Sequence, residues 1–278
     1  MRKTISTVLS LLIILSAFLC TFTAQGATYT PDVALYSKAY MLINLDDDTH
    51  PVVAEKNSGE RMYPASLTKI VTAMVALQNV KDLSAEVEVS KQAYDTLLGT
   101  GAQVAGLKIG DVLTVEELLY LTMVHSACDA TEVLAEYVGG TRYEFVKMMN
   151  DKAKELNLNN TKFANPIGYD DINNYSTVKE ISILFKYALN NETFKKIITT
   201  FSYKTHDNIT LKHTLNYYAN KYNLTLDNIS GGKTGNETLS GYCLASISLK
   251  DVDYMLITTN SKSSSGHIKD ALNLYKYY

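Results

Sequence analysis

The sequence predicts an α/β (α+β) fold: one antiparallel sheet assembled from both ends of the chain, helices on its faces, and a helical lobe inserted at about residues 67–215. Three observations carry this. Runs rich in β-branched and aromatic residues lie near the amino end and return near the carboxyl end. The long middle repeats its apolar residues at helical spacing, and no repeat, low-complexity tract or long linker divides the chain.

Taken in order, Arg2 and Lys3 precede an apolar run over residues 8–20, and Ala24-Gln25-Gly26 supplies small residues for cleavage. A secretory signal peptide over residues 1–26 is expected, followed by one domain over residues 27–278. The apolar run is shorter than the ~20 residues a membrane-spanning helix needs. KAYMLINLDDDTHPVVAEKN then reads as a hairpin around Asp46-Asp47-Asp48. Residues 66–189 read as mostly helical. Thr114 is an N-cap for VEELLYLTMVHSA, with Glu117 three residues on completing a capping box, and further helical stretches start near Ala130 and Tyr143. GYCLASISL and VDYMLITTN form a second hairpin around Lys250-Asp251, and residues 268–278 read as a closing helix.

Length and composition narrow the function. With 278 residues, 46% of them hydrophobic, the chain can bury a large core. Loss of the signal would remove Arg2 and Lys3 and no acid, taking the net charge from −3 to −5, which argues against a nucleic-acid partner. Beyond Cys20 only Cys128 and Cys243 remain, so a disulfide-dense scaffold is excluded. His206, His213 and His267 lack zinc-ligand spacing. No metal and no cofactor are expected, and a monomer is.

The chemistry starts at YPASLTK, where Ser66 and Lys69 stand one helical turn apart at the head of the apolar run IVTAMVALQNV. A serine hydroxyl is a poor nucleophile until a neighbouring base takes its proton, and a buried lysine can be that base. On its own S-x-x-K is a common accident. Downstream, however, GGKTG places Lys233 and Thr234 at the edge of a sheet, and HSACDA between the two places Ser126 where one helix ends and another begins. Ser-x-x-Lys, Ser-x-Asn and Lys-Thr-Gly in that order mark penicillin-binding proteins and class A β-lactamases.

The chain resembles the low-molecular-weight penicillin-binding proteins that are D-alanyl-D-alanine carboxypeptidases, from about Tyr40 to the carboxyl end. Besides the three motifs, RMYPASLTKIVTA, KELNLNNTKFANPIGYDD, YSTVKEISIL and GGKTGNETLSGYCL carry the likeness. The resemblance implies a β-lactamase/transpeptidase-like fold. It implies that Ser66 attacks the carbonyl of the penultimate D-alanine of a peptidoglycan stem while Lys69 accepts its proton. Ser126 and Lys233 would relay a proton to the leaving amine, and Lys233 and Thr234 would hold the terminal carboxylate. Backbone N–H groups of Ser66 and Asn236 would form the oxyanion hole beside Gly235, and β-lactams would acylate the same serine. The expected setting is the outer side of a bacterial cytoplasmic membrane, as a free exported enzyme without the carboxyl-terminal β-domain that many relatives carry.

The departure from the family pattern is Cys128, where asparagine is usual; its thiol is a weaker hydrogen-bond partner for lysine and substrate than an amide. Cys128 reads either as a packing residue or as an oxidisable thiol close to Lys69 and Lys233. After Arg142 the sequence has no arginine to pair with a carboxylate, so hydroxyls and lysine must serve, with Lys262 a further candidate. His125 reads as a helix-packing residue, and the tyrosines of LNYYANKY and LYKYY read as surface and edge packing. Two other functions stay open. A β-lactamase would need a carboxylate to activate water, and Glu155 of ELNLN matches its pattern; a catalytically weakened wall-binding protein would keep the fold alone.

Overall fold

The computed structural model describes residues 34–278 except 207 and 209, so the expected signal peptide lies outside the described residues. The chain enters through β1 (Ala39–Asn44) and β2 (Val52–Lys56), then β3 (Arg61–Met62) and the central helix α1 (Thr68–Asn79). A mixed stretch follows: β4 (Glu86–Glu88), α2 (Lys91–Asp95), β5 (Val112–Thr114), α3 (Val115–Met123), α4 (Cys128–Gly139), α5 (Arg142–Glu155), β6 (Ser176–Thr177), α6 (Val178–Leu189) and α7 (Glu192–Ile198). A small ribbon, β7 (Ser202–Lys204) with β8 (Thr210–Lys212), leads to α8 (Thr214–Tyr222). The chain closes with β9 (Gly231–Glu237), β10 (Gly241–Ser248), β11 (Tyr254–Ser261) and α9 (Gly266–Tyr277).

Both expected hairpins form, and they join into one antiparallel sheet of order β2-β1-β11-β10-β9. The ends of the chain meet in its middle, with Ala39 opposite Thr259 and Asn44 opposite Tyr254. The period of two explains why both faces are covered. Met41, Ile43, Ala245, Ile247, Met255 and Ile257 point to one side and join the larger core with α1 and its neighbours. Tyr40, Leu42, Leu244 and Leu256 point to the other, where Ile268, Ala271 and Leu274 of α9 close over them.

Helix α1 is buried over every residue of Thr68, Lys69, Ile70, Val71, Thr72, Ala73, Met74, Val75 and Ala76, the signature of a helix enclosed on all sides. The predicted capping box is present: Thr114 Oγ1 accepts from Glu117 N at 3.2 Å, and Glu117 Oε2 accepts from Thr114 N at 3.0 Å. The middle is less helical than expected. The ribbons β3–β6 and β4–β5 and two irregular loops, 96–111 and 156–175, interrupt it. Side chains hold these loops together with a few backbone bonds, among them the pair between Lys162 and Tyr175. Asp129 accepts from the N–H groups of Ala105, Gly106 and Leu107, and Asn165 Oδ1 accepts from those of Gly168 and Tyr169.

Candidate active site

Between β3 and α1 the chain makes the single 3-10 turn Ala65–Leu67. Ala65 is left-handed, with φ at 46°, a strained conformation for a residue with a Cβ. The turn brings half-buried Ser66 into a cleft of about 1270 Å³. Two glycines make room for it. A Cβ on Gly168, itself at φ 80°, would fall 1.8 Å from the carbonyl oxygen of Ala65, and one on Gly235 would lie 3.2 Å from Ser66 N.

One turn into α1, Lys69 is fully buried, and its Nζ lies 3.0 Å from Ser66 Oγ. The same nitrogen donates to Ile167 O at 2.7 Å and reaches Cys128 Sγ at 3.4 Å. The Ile167 carbonyl belongs to the loop 156–175, which is tied to α1 by Thr72 Oγ1 donating to Pro166 O at 2.7 Å and by Asn174 Nδ2 donating to Thr68 Oγ1 at 3.3 Å. That is why a lysine can face the core at the start of an apolar helix: its nitrogen is satisfied by a carbonyl, a hydroxyl and a thiol.

A second serine–lysine pair faces the first. Ser126, between α3 and α4, is also left-handed, with φ at 61°. Lys233 Nζ, fully buried, donates to Ser126 Oγ at 2.8 Å and to Thr234 O at 2.8 Å. Burial first, and the neighbouring Lys69 second, hold the Lys233 ammonium well below the usual lysine range. Thr234 Oγ1 donates to Thr214 Oγ1 at 2.7 Å.

The backbone of β9 adds its own pattern. In an antiparallel ladder a residue points both its N–H and its C=O toward one neighbour, and the next residue points them away. The carbonyls of Gly232 and Thr234 are bonded to His213 and Lys233 on the side away from β10. By the same alternation the N–H and C=O of Asn236 face that outer edge, beside Ser66. β9 is the last strand of the sheet among the described residues.

The structure thus gathers the predicted residues. Ser66, Ser126, Cys128, Thr234, Gly235 and Asn236 line the cleft, and Lys69 and Lys233 sit directly beneath, hydrogen-bonded to the two serines. Lys262 is not among the lining residues. One expectation of packing needs correction: His125 lines the cleft, because α3 has already ended at Met123. Tyr217 and Tyr218 border the cleft as well, Tyr217 as a surface residue 59% exposed on α8. Among the described residues no cluster suited to a metal occurs, and the two cysteines are free and buried.

Glu155 ends α5, exposed and ion-paired with Lys152 at 2.6 Å, and does not line the cleft. The carboxylate that does is Glu237, whose pKa is pushed up to about 6 by burial and then by the neighbouring Asp170. Sequence reasoning missed the Ile167 carbonyl, Glu237 and the pair His213-Thr214. For the last the available signal was a polar pair at the start of an amphipathic helix.

Comparison with known proteins agrees with this geometry. The family described as D-alanyl-D-alanine carboxypeptidase matches residues 25–262. D-alanyl-D-alanine carboxypeptidase DacF of Bacillus subtilis is 31% identical over 250 residues, covering 90% of this chain and 64% of that protein. DacC of Escherichia coli is 36% identical over 203 residues, 66% of this chain and 50% of that protein. The chain therefore spans one half to about two thirds of the length of these two relatives. The crystal structure of the Streptomyces K15 DD-transpeptidase superposes with a TM-score of 0.79 at 28% identity, covering 89% of this chain and 98% of that one. Two serine–lysine pairs flanking one sheet edge, on a fold and a sequence shared with these proteins, place the chain in the D-alanyl-D-alanine carboxypeptidase family of serine peptidases.

Proposed function

We propose that this protein is a serine-type D-Ala-D-Ala carboxypeptidase that removes the terminal D-alanine from peptidoglycan stem peptides and is acylated by β-lactams. The observation that carries the reading is the buried Lys69 Nζ 3.0 Å from Ser66 Oγ, opening on the same cleft as the Lys233–Ser126 pair at 2.8 Å. In this reading Lys69 takes the Ser66 proton as Oγ adds to the carbonyl of the penultimate D-alanine. The N–H groups of Ser66 and Asn236 receive the oxyanion, a contact worth roughly 3 kcal/mol in the transition state. Collapse of the adduct breaks the peptide bond. Ser126 delivers a proton to the departing amine and is resupplied through Lys233, whose lowered pKa suits it to pass a proton on. The hydroxyl of Thr234, with Lys233 behind it, holds the carboxylate of the leaving D-alanine. Water then hydrolyses the ester on Ser66.

In the proposed organisation residues 27–278 form the catalytic domain behind a signal peptide of residues 1–26, with a helical lobe at about residues 67–215, and the enzyme acts on the outer side of the cytoplasmic membrane. No helix among the described residues is long and apolar enough to cross a membrane. The position of Glu155 away from the cleft supports the carboxypeptidase over the β-lactamase.

Mass spectrometry of the intact protein with penicillin, paired with D-alanine release from an acetylated peptide ending in D-Ala-D-Ala, tests this. A lasting one-to-one adduct and D-alanine release, both abolished by Ser66→Ala, are expected. Labelling that survives Ser66→Ala refutes the nucleophile. Rapid penicillin turnover would make the protein a β-lactamase, and an adduct without D-alanine release would make it a binding protein.

A further inference from the structure

One carboxylate in the cleft is unused by the chemistry above. Glu237 ends β9, half-buried, and among the described residues no hydrogen bond or ion pair engages its side chain; its backbone N–H donates to Ser240 Oγ at 2.9 Å. Asp170, in the loop 156–175, accepts from Leu239 N–H at 3.3 Å and adds a second negative charge close by. Burial first and Asp170 second push the Glu237 pKa up to about 6, with Lys69 opposing, so the group is ionised at neutral pH and short of a cation.

The strand sets its place. Lys233, Gly235 and Glu237 share one face of β9, and that face is turned into the site: Lys233 Nζ reaches Ser126 Oγ at 2.8 Å, and a Cβ on Gly235 would lie 3.2 Å from Ser66 N. A peptide added antiparallel to the outer edge, its penultimate D-alanine exchanging hydrogen bonds with Asn236, sets the leaving D-alanine opposite Gly235 and the preceding residue opposite Glu237. Residues directly opposite in an antiparallel pair put L side chains on the same face, with Cβ atoms about 5 Å apart. An L-residue at that position therefore turns its side chain to the face of Glu237, whereas a D-residue would turn away from it.

We propose that Glu237 is a specificity-determining residue: it selects stem peptides in which the residue before the two D-alanines is an L-amino acid with a free side-chain amine, whose ammonium pairs with the Glu237 carboxylate while Asp170 adds to the field. This rests on the carboxypeptidase reading, with Ser66 as nucleophile.

The test compares D-alanine release, as kcat/KM, from an N-acetylated L-lysyl-D-Ala-D-Ala peptide with its side-chain amine free and with that amine acetylated. A part-buried ion pair predicts about a fivefold preference for the free amine in the parent, weakening as salt is added. Glu237→Gln, which keeps the shape and removes the charge, should bring the ratio close to one. Glu237→Lys should instead favour a peptide with L-glutamate in place of L-lysine. A purely structural role would move all the peptides together and leave the ratio as in the parent. Penicillin labelling reports that Ser66 still acylates in each variant. A parent that treats free and acetylated amines alike overturns the proposal without any variant, and so does a labelled Glu237→Gln that keeps the parental preference. A Glu237→Gln that slows both peptides equally and prolongs the penicillin adduct also overturns it, and makes the carboxylate a base for the deacylating water. A parent that neither labels nor releases D-alanine overturns the carboxypeptidase reading instead.

Discussion

Replacing Cys128 by asparagine should speed acylation. The thiol lies 3.4 Å from Lys69 Nζ, the same nitrogen that lies 3.0 Å from the Ser66 hydroxyl, and sulfur is a weak acceptor. An amide oxygen in its place offers a full hydrogen bond to the lysine, and the amide N–H₂ can turn into the cleft that Cys128 lines. A net gain of about 1 kcal/mol in the transition state corresponds to roughly fivefold in rate. Stopped-flow acylation with a chromogenic penicillin or cephalosporin reads that rate directly. The variant should also resist mild peroxide, because Cys243 is fully buried and burial pushes its thiol up to about 11, leaving it protonated and inert. An Asn variant that acylates no faster than the parent and loses activity to peroxide just as the parent does would refute the argument and leave Cys128 a packing residue.

Three further predictions follow from distances and burial. Lys233→Ala should cost about a hundredfold or more in D-alanine release, as expected for loss of a carboxylate contact and a proton relay, while the fold persists; unchanged kinetics with unchanged melting would remove Lys233 from the site. Gly168→Ala should destabilise by about 3 kcal/mol or more and abolish penicillin labelling, since the new Cβ would meet Ala65 O at 1.8 Å in a left-handed backbone; a denaturant midpoint equal to the parent's contradicts it. Glu237 has a folded pKa near 6 against an ordinary 4.5, so the native state binds the extra proton, and the stability this group contributes is fully present below about 4.5 and lost as pH rises through about 6. Melting temperatures from pH 4 to 7 should therefore show a falling component in the parent that Glu237→Gln lacks; identical profiles would show that Glu237 is not perturbed.

Much of this was legible in the sequence because the signals were local. The extended runs within KAYMLINLDDDTHPVVAEKN and VDYMLITTN, bounded by turn-forming aspartates, marked strands of the two hairpins, and Thr114 with Glu117 marked a helix start. The serine–lysine pairs were readable because side chains of distinctive chemistry supply both halves. What stayed hidden depends on backbone atoms and long-range packing. The Ile167 carbonyl that receives Lys69 could have come from any residue type. Loop 96–111 has little regular structure to announce it, and much of its anchorage comes from residues distant in sequence, such as the carboxylate of Asp129, which accepts three of its N–H groups, and Tyr169. His125 read as a helix-packing residue because a helical wheel cannot show where a helix stops, and nothing in the spacing of the surface tyrosines shows that Tyr217 borders a cleft.

The outer edge of β9 carries one more consequence. An unpaired strand edge is a template for another chain, and proteins ordinarily blunt such edges to avoid aggregation. Here the blunting is done by the machinery of the site itself: an imidazole covers the Gly232 carbonyl and an ammonium covers that of Thr234. What stays open is the stretch around Asn236, too short to nucleate a foreign sheet. Solubility and the capacity to take up a strand are thus reconciled on one edge by the length left uncovered.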